Sequence, residues 1–352
     1  MIMSRALQIF LLGAFAVLAG CGGESSEKAF IDSYLDTSNT ATSQKDPVPG
    51  GSSHSALSGD VEEHPEMIGK IWLPEDYMSG SNLELKLRVS RSYILKGMYS
   101  SAEKELLKFL RSEPNSVLGS FLLALAYCGM GDVRREKLML ERTLTLDPKH
   151  YLANYNLGCL YLSEGSNYPA LLAFDECLSA YPAFAPALYN KSIIALEWCK
   201  YDAAVRFLQI ADRLQPDDVS ILNNLAVACE RSGRLQMAEG YYLHVLTLDK
   251  DHVPALQNLS GLYLASGRLE DAFQMSRRWQ AEEGKSPLCA YRLSCIAARR
   301  GNLDRSLELL RDALQLGYDN YDHALADPDL APLYKGYPGV RNSIMSRRES
   351  GK

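Results

Sequence analysis

Four asparagines recur at intervals of 34 residues, and they are the side chains best placed for repeated hydrogen-bond chemistry. They are Asn156, Asn190, Asn224 and Asn258. A primary amide offers both donors and an acceptor, so each asparagine can hold one backbone amide of an extended chain without reading its sequence. Packed helices lie about 8 to 10 Å apart, so a ladder of this kind meets roughly every third residue of an extended strand.

Aromatic residues stand at the fifth place of the same 34-residue interval, one place before the amide in two segments and at the equivalent place in two flanking segments. They are Phe121, Tyr155, Tyr189 and Tyr291. Rings beside hydrogen-bonding groups are typical of pockets that select apolar side chains. We therefore interpret the eight residues as a candidate binding surface with exposed rings. The alternative is that the amides bond only to neighbouring helices or to water.

Residues with catalytic potential do not form a recognisable site. The six histidines are scattered along the chain, with no HExxH motif and no paired ligand spacing. Ser101 and Lys104 formally match an SxxK motif, but Ala102 between them occupies a helix-packing position, which indicates coincidence. We expect no enzymatic activity, no metal, no cofactor and no small-molecule substrate.

The asparagines belong to seven segments of 34 residues that run without an insertion from Leu83 to Asn320. The segments begin at Leu83, Val117, Tyr151, Ala185, Val219, Val253 and Pro287. A small residue stands at the eighth place of each, which lets two helices approach closely. Glycine ends the first helix in six segments, with Cys199 as the exception, and proline closes the first four. Each segment is therefore predicted to form helix, turn, helix.

This pattern resembles the tetratricopeptide repeat over about two-thirds of the chain, most closely in the third segment. The matching residues there are Leu157, Gly158, Tyr161, Ala170, Phe174 and Pro182. The resemblance implies an all-α, right-handed superhelical solenoid of about seven helix-turn-helix units in 83–320, with a C-terminal capping helix and a basic tail in 321–352. It also implies a concave groove, lined by the first helices, that takes an extended peptide segment of another protein.

The beginning of the chain resembles a lipoprotein precursor. Arg5 precedes an uncharged apolar stretch that is too short to span a membrane, and Leu18-Ala19-Gly20-Cys21 then resembles the bacterial lipobox. That resemblance implies a signal peptide in 1–20 and a lipid on Cys21, which anchors the protein in the bacterial cell envelope. Gly22 follows the cysteine, which favours the outer membrane, facing the periplasm, if the cell has one.

Two further segments precede the repeats. Residues 21–65 are rich in Ser, Thr, Gly, Pro and Asp, which predicts a lipidated disordered tether. Residues 66–82 are apolar enough to form a segment that packs on the first repeat. The net charge of −6 argues against nucleic acid as a partner. Seven cysteines follow Cys21, which predicts buried thiols and leaves open a disulfide between Cys128 and Cys159.

These features together predict a membrane-anchored scaffold or adaptor that binds protein partners through its groove. It resembles repeat lipoproteins that assemble pilus or secretion machinery and those that act as adaptors for peptidoglycan hydrolases. The alternative is a fixed structural subunit of an envelope complex, which docks through its convex face or its ends. Replacing Asn190 and Asn224 by alanine distinguishes the two, because a convex-face subunit loses no partner.

Overall fold

The computed structural model describes residues 85–350, and in that range the chain forms helical hairpins without strands. The first helices of the hairpins are α1 (Leu85–Leu95), α3 (Val117–Gly129), α5 (Tyr151–Ser163), α7 (Ala185–Glu197), α9 (Val219–Arg231), α11 (Val253–Ala265) and α13 (Pro287–Arg299). The second helices are α2 (Tyr99–Ser112), α4 (Val133–Leu146), α6 (Asn167–Ala180), α8 (Tyr201–Leu214), α10 (Leu235–Leu248), α12 (Leu269–Glu283) and α14 (Leu303–Gln315). The predicted all-α fold is confirmed.

The 34-residue register agrees with the helix boundaries. The first residue of α3, α5, α7, α9, α11 and α13 is in each case the first residue of a predicted segment. The remaining predicted start, Leu83 of the first segment, lies outside the described residues. So do the predicted signal peptide, tether and packing segment in 1–82.

The turn inside each hairpin requires a left-handed backbone conformation. Gly97, Gly165 and Gly301 adopt φ values of 70°, 71° and 80° there. Cys199 stands at the corresponding turn between α7 and α8 and adopts φ 55°. A side chain in this region costs about 1 to 2 kcal/mol, so the hairpin of α7 and α8 tolerates a strain that glycine avoids elsewhere.

The two helices of a hairpin meet where the eighth residue of the segment is small. In the third segment, a Cβ atom added to Gly158 would lie 2.5 Å from the ring of Phe174 on α6. Phe174 is fully buried, as is the neighbouring Ala170. The ring therefore occupies the space that any larger residue at 158 needs.

The described residues divide into two compact bodies, one ending at Leu214 and the other beginning at Gln215. The first body holds α1 to α8, and the second begins with α9. The second body continues beyond α14 with α15 (Tyr321–Ala326), a 3-10 turn (Pro328–Leu330), α16 (Ala331–Gly336) and α17 (Pro338–Ser350).

The C-terminal cap was predicted as one capping helix, and that is wrong: several short helices form it. Pro328, Pro332 and Pro338 stand at or near the beginnings of these elements, where proline starts a helix but cannot continue one. The 3-10 turn and α16 pack on α13, and α16 also packs on α14. No helix within residues 85–350 combines the length and the apolar character needed to cross a bilayer.

The close contact at Gly158 gives a stability prediction. We expect Gly158→Ala to lower the free energy of unfolding by about 1 to 3 kcal/mol, because the added methyl group displaces the Phe174 ring. The loss should shrink when Phe174→Leu is present as well. Urea unfolding of the single and double variants measures this coupling.

Gly240→Ala is the matched control, because a Cβ atom there meets nothing within 4 Å. It should stabilise α10 by about 0.5 to 1 kcal/mol through helix propensity alone. Equal stability of Gly158→Ala and the unsubstituted protein would contradict the packing described above.

Candidate protein-binding surface

The first helices of the first body carry a set of side chains that point away from their hairpin partners. Gly158 on α5 faces α6. Viewed down the axis of α5, the positions of Leu152, Asn156 and Cys159 are rotated by about 100° to 160° from that of Gly158. The places of Asn156 and Cys159 correspond to those of two residues on α3 and two on α7. We call the whole set the inner face of the first body: Leu122, Leu125, Leu152, Asn156, Cys159, Asn190 and Ile193. It is mainly aliphatic, with two amides.

The amides of this inner face are buried, with exposed fractions of 3 % for Asn156 and 0 % for Asn190. Asn156 donates a 2.7 Å hydrogen bond from Nδ2 to the carbonyl oxygen of Leu152. Asn190 donates from Nδ2 to the Tyr155 hydroxyl and to the Cys159 sulfur, both at 3.3 Å. Its Oδ1 is buried and accepts no hydrogen bond within the described part of the chain.

The aromatic residues of the fifth place are also buried. Phe121 lies with its ring centroid 4.6 Å from that of His150. Tyr155 packs on Phe174 and Phe184, at centroid distances of 5.9 and 5.0 Å. Tyr189 is fully buried. The expectation that these rings are exposed is wrong, because the fifth place points only about 60° away from the small residue and so between neighbouring hairpins.

The second body places amides at both the fifth and the sixth positions. Asn223 and Asn224 are neighbours on α9, and Gln257 and Asn258 are neighbours on α11. All four are buried, which the sequence did not predict. Neither amide atom of Asn223 has a hydrogen-bond partner within the described residues. Asn223 and Gln257 were not predicted as candidate site residues, although an amide replaces the ring at the fifth place of two successive segments.

Tyr291 belongs to the packing of the C-terminal cap. Its hydroxyl donates a 2.6 Å hydrogen bond to Asp327, and its ring stacks on Tyr318 at a centroid distance of 4.2 Å. Burial raises the pKa of this hydroxyl far above its ordinary value. Tyr291 therefore stabilises the contact of α13 with the cap, and the prediction that it is exposed in a groove is wrong.

A carboxyl group occupies one of the helix-packing positions. Glu136 on α4 stands at the twentieth place, where Ala102 and Ala170 of the neighbouring segments are fully buried. Burial raises the pKa of Glu136 to about 7, and a hydrogen bond with the Cys128 thiol opposes this shift. Burial also raises the pKa of Cys128 to about 12. The pair is therefore neutral at mildly acidic pH, and Cys128 is not activated as a nucleophile.

The seven cysteines of the described residues are free thiols, and five of them are buried. Cys128 and Cys159, whose pairing the sequence left open, are not bonded to each other. Within residues 85–350, no group of three or more His, Cys, Asp or Glu side chains is arranged to hold a metal ion.

Consecutive helical hairpins with small residues at their contacts define a helical repeat protein. Family models described as tetratricopeptide repeat match residues 151–184 and 189–253. Residues 151–184 and 189–253 of this chain therefore match tetratricopeptide repeats.

Solved structures share this fold at low sequence identity. PilW, described as a widely conserved type IV pilus biogenesis factor, is 23 % identical with a TM-score of 0.50, and the match covers 56 % of this chain and 92 % of PilW. A chain of the Cut9–Hcn1 hetero-tetramer of the APC/C is 13 % identical with a TM-score of 0.52. That match covers 74 % of this chain and half of the other. At these identities the likeness concerns the fold alone.

The buried carboxyl group predicts a pH-dependent stability. The pKa of Glu136 is raised on folding, so its stabilising contribution is complete below about pH 4.5 and is lost as the pH rises through about 7. Glu136→Ala restores the packing alanine and should remove this loss. We expect it to raise the free energy of unfolding by up to about 3 kcal/mol at pH 8, and by much less at pH 5.

Urea unfolding of both proteins at the two pH values measures the difference. Glu141→Ala is the matched control, because Glu141 is exposed on the same helix. It should leave the pH dependence unchanged. A pH dependence that is the same in Glu136→Ala and the unsubstituted protein would contradict the raised pKa.

Proposed function

We propose that this protein is a membrane-anchored scaffold or adaptor that binds protein partners through the first helices of its repeats. The observation that carries the proposal is the amide of Asn223, which is fully buried with neither atom hydrogen-bonded among the described residues. Leaving a buried polar group unpaired costs about 1 to 3 kcal/mol. Asn223 stands at the fifth place, which points between neighbouring hairpins, so a bound chain that enters there supplies the donor and the acceptor that its amide lacks.

The process served is the assembly or regulation of a cell-envelope machine. The lipobox-like ending at Cys21 supports this location, although it lies outside the described residues. The fold shared with a type IV pilus biogenesis factor makes pilus or secretion assembly one candidate process. An adaptor role for peptidoglycan hydrolases is the other. The identity of the captured partner decides between them.

A fixed structural subunit remains the second candidate, because the second helices expose apolar side chains. Leu107 on α2 and Leu138 on α4 are 41 % and 58 % exposed. These residues lie on the side of the repeats that carries the second helices, not on the inner face. A permanent neighbour that covers them binds without using the inner amides.

Lipid anchoring gives the first functional prediction. Cys21→Ser removes the thiol that takes the lipid, so the protein should move from the membrane fraction to the soluble fraction of its own host. Cys199→Ser is the control, because Cys199 is an exposed free thiol of the repeats. It should stay with membranes. Membrane fractionation of Cys21→Ser at the level of the unsubstituted protein would place the anchor elsewhere.

Partner capture gives the second functional prediction. Asn223→Ala removes two unpaired buried polar atoms, so the free energy of unfolding should be unchanged or raised. In-cell crosslinking followed by mass spectrometry should nevertheless show at least a tenfold loss of the main captured protein. Asn167→Ala is the matched control, because Asn167 lies on α6 and bonds to Glu197.

Leu138→Glu tests the alternative, since it places a charge on the exposed side of α4. If Leu138→Glu loses the partner and Asn223→Ala retains it, partner binding by the first helices is contradicted. The protein is then a fixed subunit that docks on its second helices.

A further inference from the structure

Helix α5 is buried on every side. Nine consecutive residues, Leu152–Leu160, are buried. A helix turns once in 3.6 residues, so nine residues point in all directions around it. Among the described residues, the helices that pack most extensively on α5 are α6 and α4. These two helices explain the burial of the sides that they touch, and not that of the opposite side.

The inner face lies on that opposite side, and its apolar members are as well covered as a protein core. Leu122 and Leu152 are fully buried, and Leu125 and Ile193 are 1 % exposed. Lateral contacts such as the one between Asn190 and Tyr155 close the gaps between neighbouring first helices. Such lateral contacts do not shield the aliphatic side chains on the side that faces away from the second helices. The described helices do not account for this burial, which points to a further layer of protein over the inner face of the first body.

We propose that this layer is the chain's own segment 24–36, and that the inner face of the first body is its binding site. The inference rests on the proposed function, because it gives the first helices of the first body a resident occupant that a bound partner would replace. The segment reads ESSEKAFIDSYLD. Its apolar residues Phe30, Ile31, Tyr34 and Leu35 follow the spacing that is typical of one face of a helix. They interrupt a region that is otherwise polar.

The length of the intervening chain permits this placement. Roughly 50 residues separate Asp36 from Leu85, where the described structure begins, and an extended chain spans at most about 3.5 Å per residue. The inner face extends over three first helices, which at about 10 Å per helix is a far shorter distance.

The charges are complementary as well. The segment carries Glu24, Glu27, Asp32 and Asp36 against one lysine. At the sixth and ninth places of the first repeat, which correspond to inner-face positions, α1 carries Arg88 and Arg91. An acidic segment with an apolar face thus fits a surface that is aliphatic over α3, α5 and α7 and basic at α1. A partner that enters this face has to displace the segment, and we infer that it carries the same pattern.

The test uses the full mature chain and the thiol of Cys159, which lies within the inner face and is 3 % exposed. Alkylation of Cys159, followed by peptide mass spectrometry, reports whether the face is covered. The double variant Phe30→Asp, Leu35→Asp should accelerate alkylation at least tenfold. The control is Ala29→Asp, Ser33→Asp, which adds the same charge on the opposite helical face of the segment. It should leave the rate within twofold of the unsubstituted protein.

A photocrosslinker in the otherwise unsubstituted chain identifies the occupant directly. With p-benzoylphenylalanine in place of Phe30, intramolecular crosslinks should join this position to α3, α5 or α7. With the same probe in place of Trp72, they should not. Crosslinks to these helices from position 72 alone, or crosslinks between heavy- and light-isotope copies, would overturn the proposal in favour of residues 66–82 or a second copy.

Unchanged protection of Cys159 in the Phe30→Asp, Leu35→Asp variant would also overturn it. The proposed function is judged separately, by the loss of partner capture in Asn223→Ala. Partner capture can therefore survive the failure of this inference, and the reverse also holds.

Discussion

The close approach of paired helices at the eighth place of each repeat is the contact on which the rest of the structure depends. At Gly158 there is no room for a Cβ atom beside the Phe174 ring, so the ring packs directly against the backbone of α5. Ser260 and Ser276 use the same contact differently, with hydroxyl oxygens 2.6 Å apart. These contacts fix the angle between the two helices of a hairpin, and with it the direction in which the first helix presents its side chains. Inner-face residues come into line only if that angle is kept.

Three departures from the repeat pattern in the first body weaken this regular packing. Cys199 adopts the left-handed backbone conformation that glycine adopts in the turns of other hairpins. Glu136 replaces a packing alanine. Lys191 stands where Leu157 stands in the preceding repeat, and its Nζ lies 2.5 Å from Asp175 and 4.6 Å from the centroid of Phe207. A buried ion pair of this kind is often no more stabilising than leucine. We infer that the hairpins of α3 to α8 open more readily than the regularity of the sequence suggests.

The sequence predicted what depends on periodicity and missed what depends on exceptions to it. Helix beginnings such as Val117 and Val219 were correct, because glycine turns and small contact residues recur with each repeat. Burial of Tyr189 was missed, since the period places a residue on a helix but does not reveal what covers it. Tyr291 was assigned to a groove because its place in the repeat matches that of Tyr155. Its bond to Asp327 comes from the cap, which no repeat contains.

A resident segment on the inner face changes what a partner has to do. A segment tethered by a flexible linker reaches an effective concentration of the order of 1 mM at its own site. A partner present at about 1 μM occupies half of the sites only if its intrinsic affinity is about 1,000-fold higher, which corresponds to about 4 kcal/mol. Weakly matching sequences are therefore excluded from the aliphatic face, although aliphatic contacts discriminate poorly on their own. Competition with the chain's own segment supplies a selectivity that Leu152 and Ile193 lack.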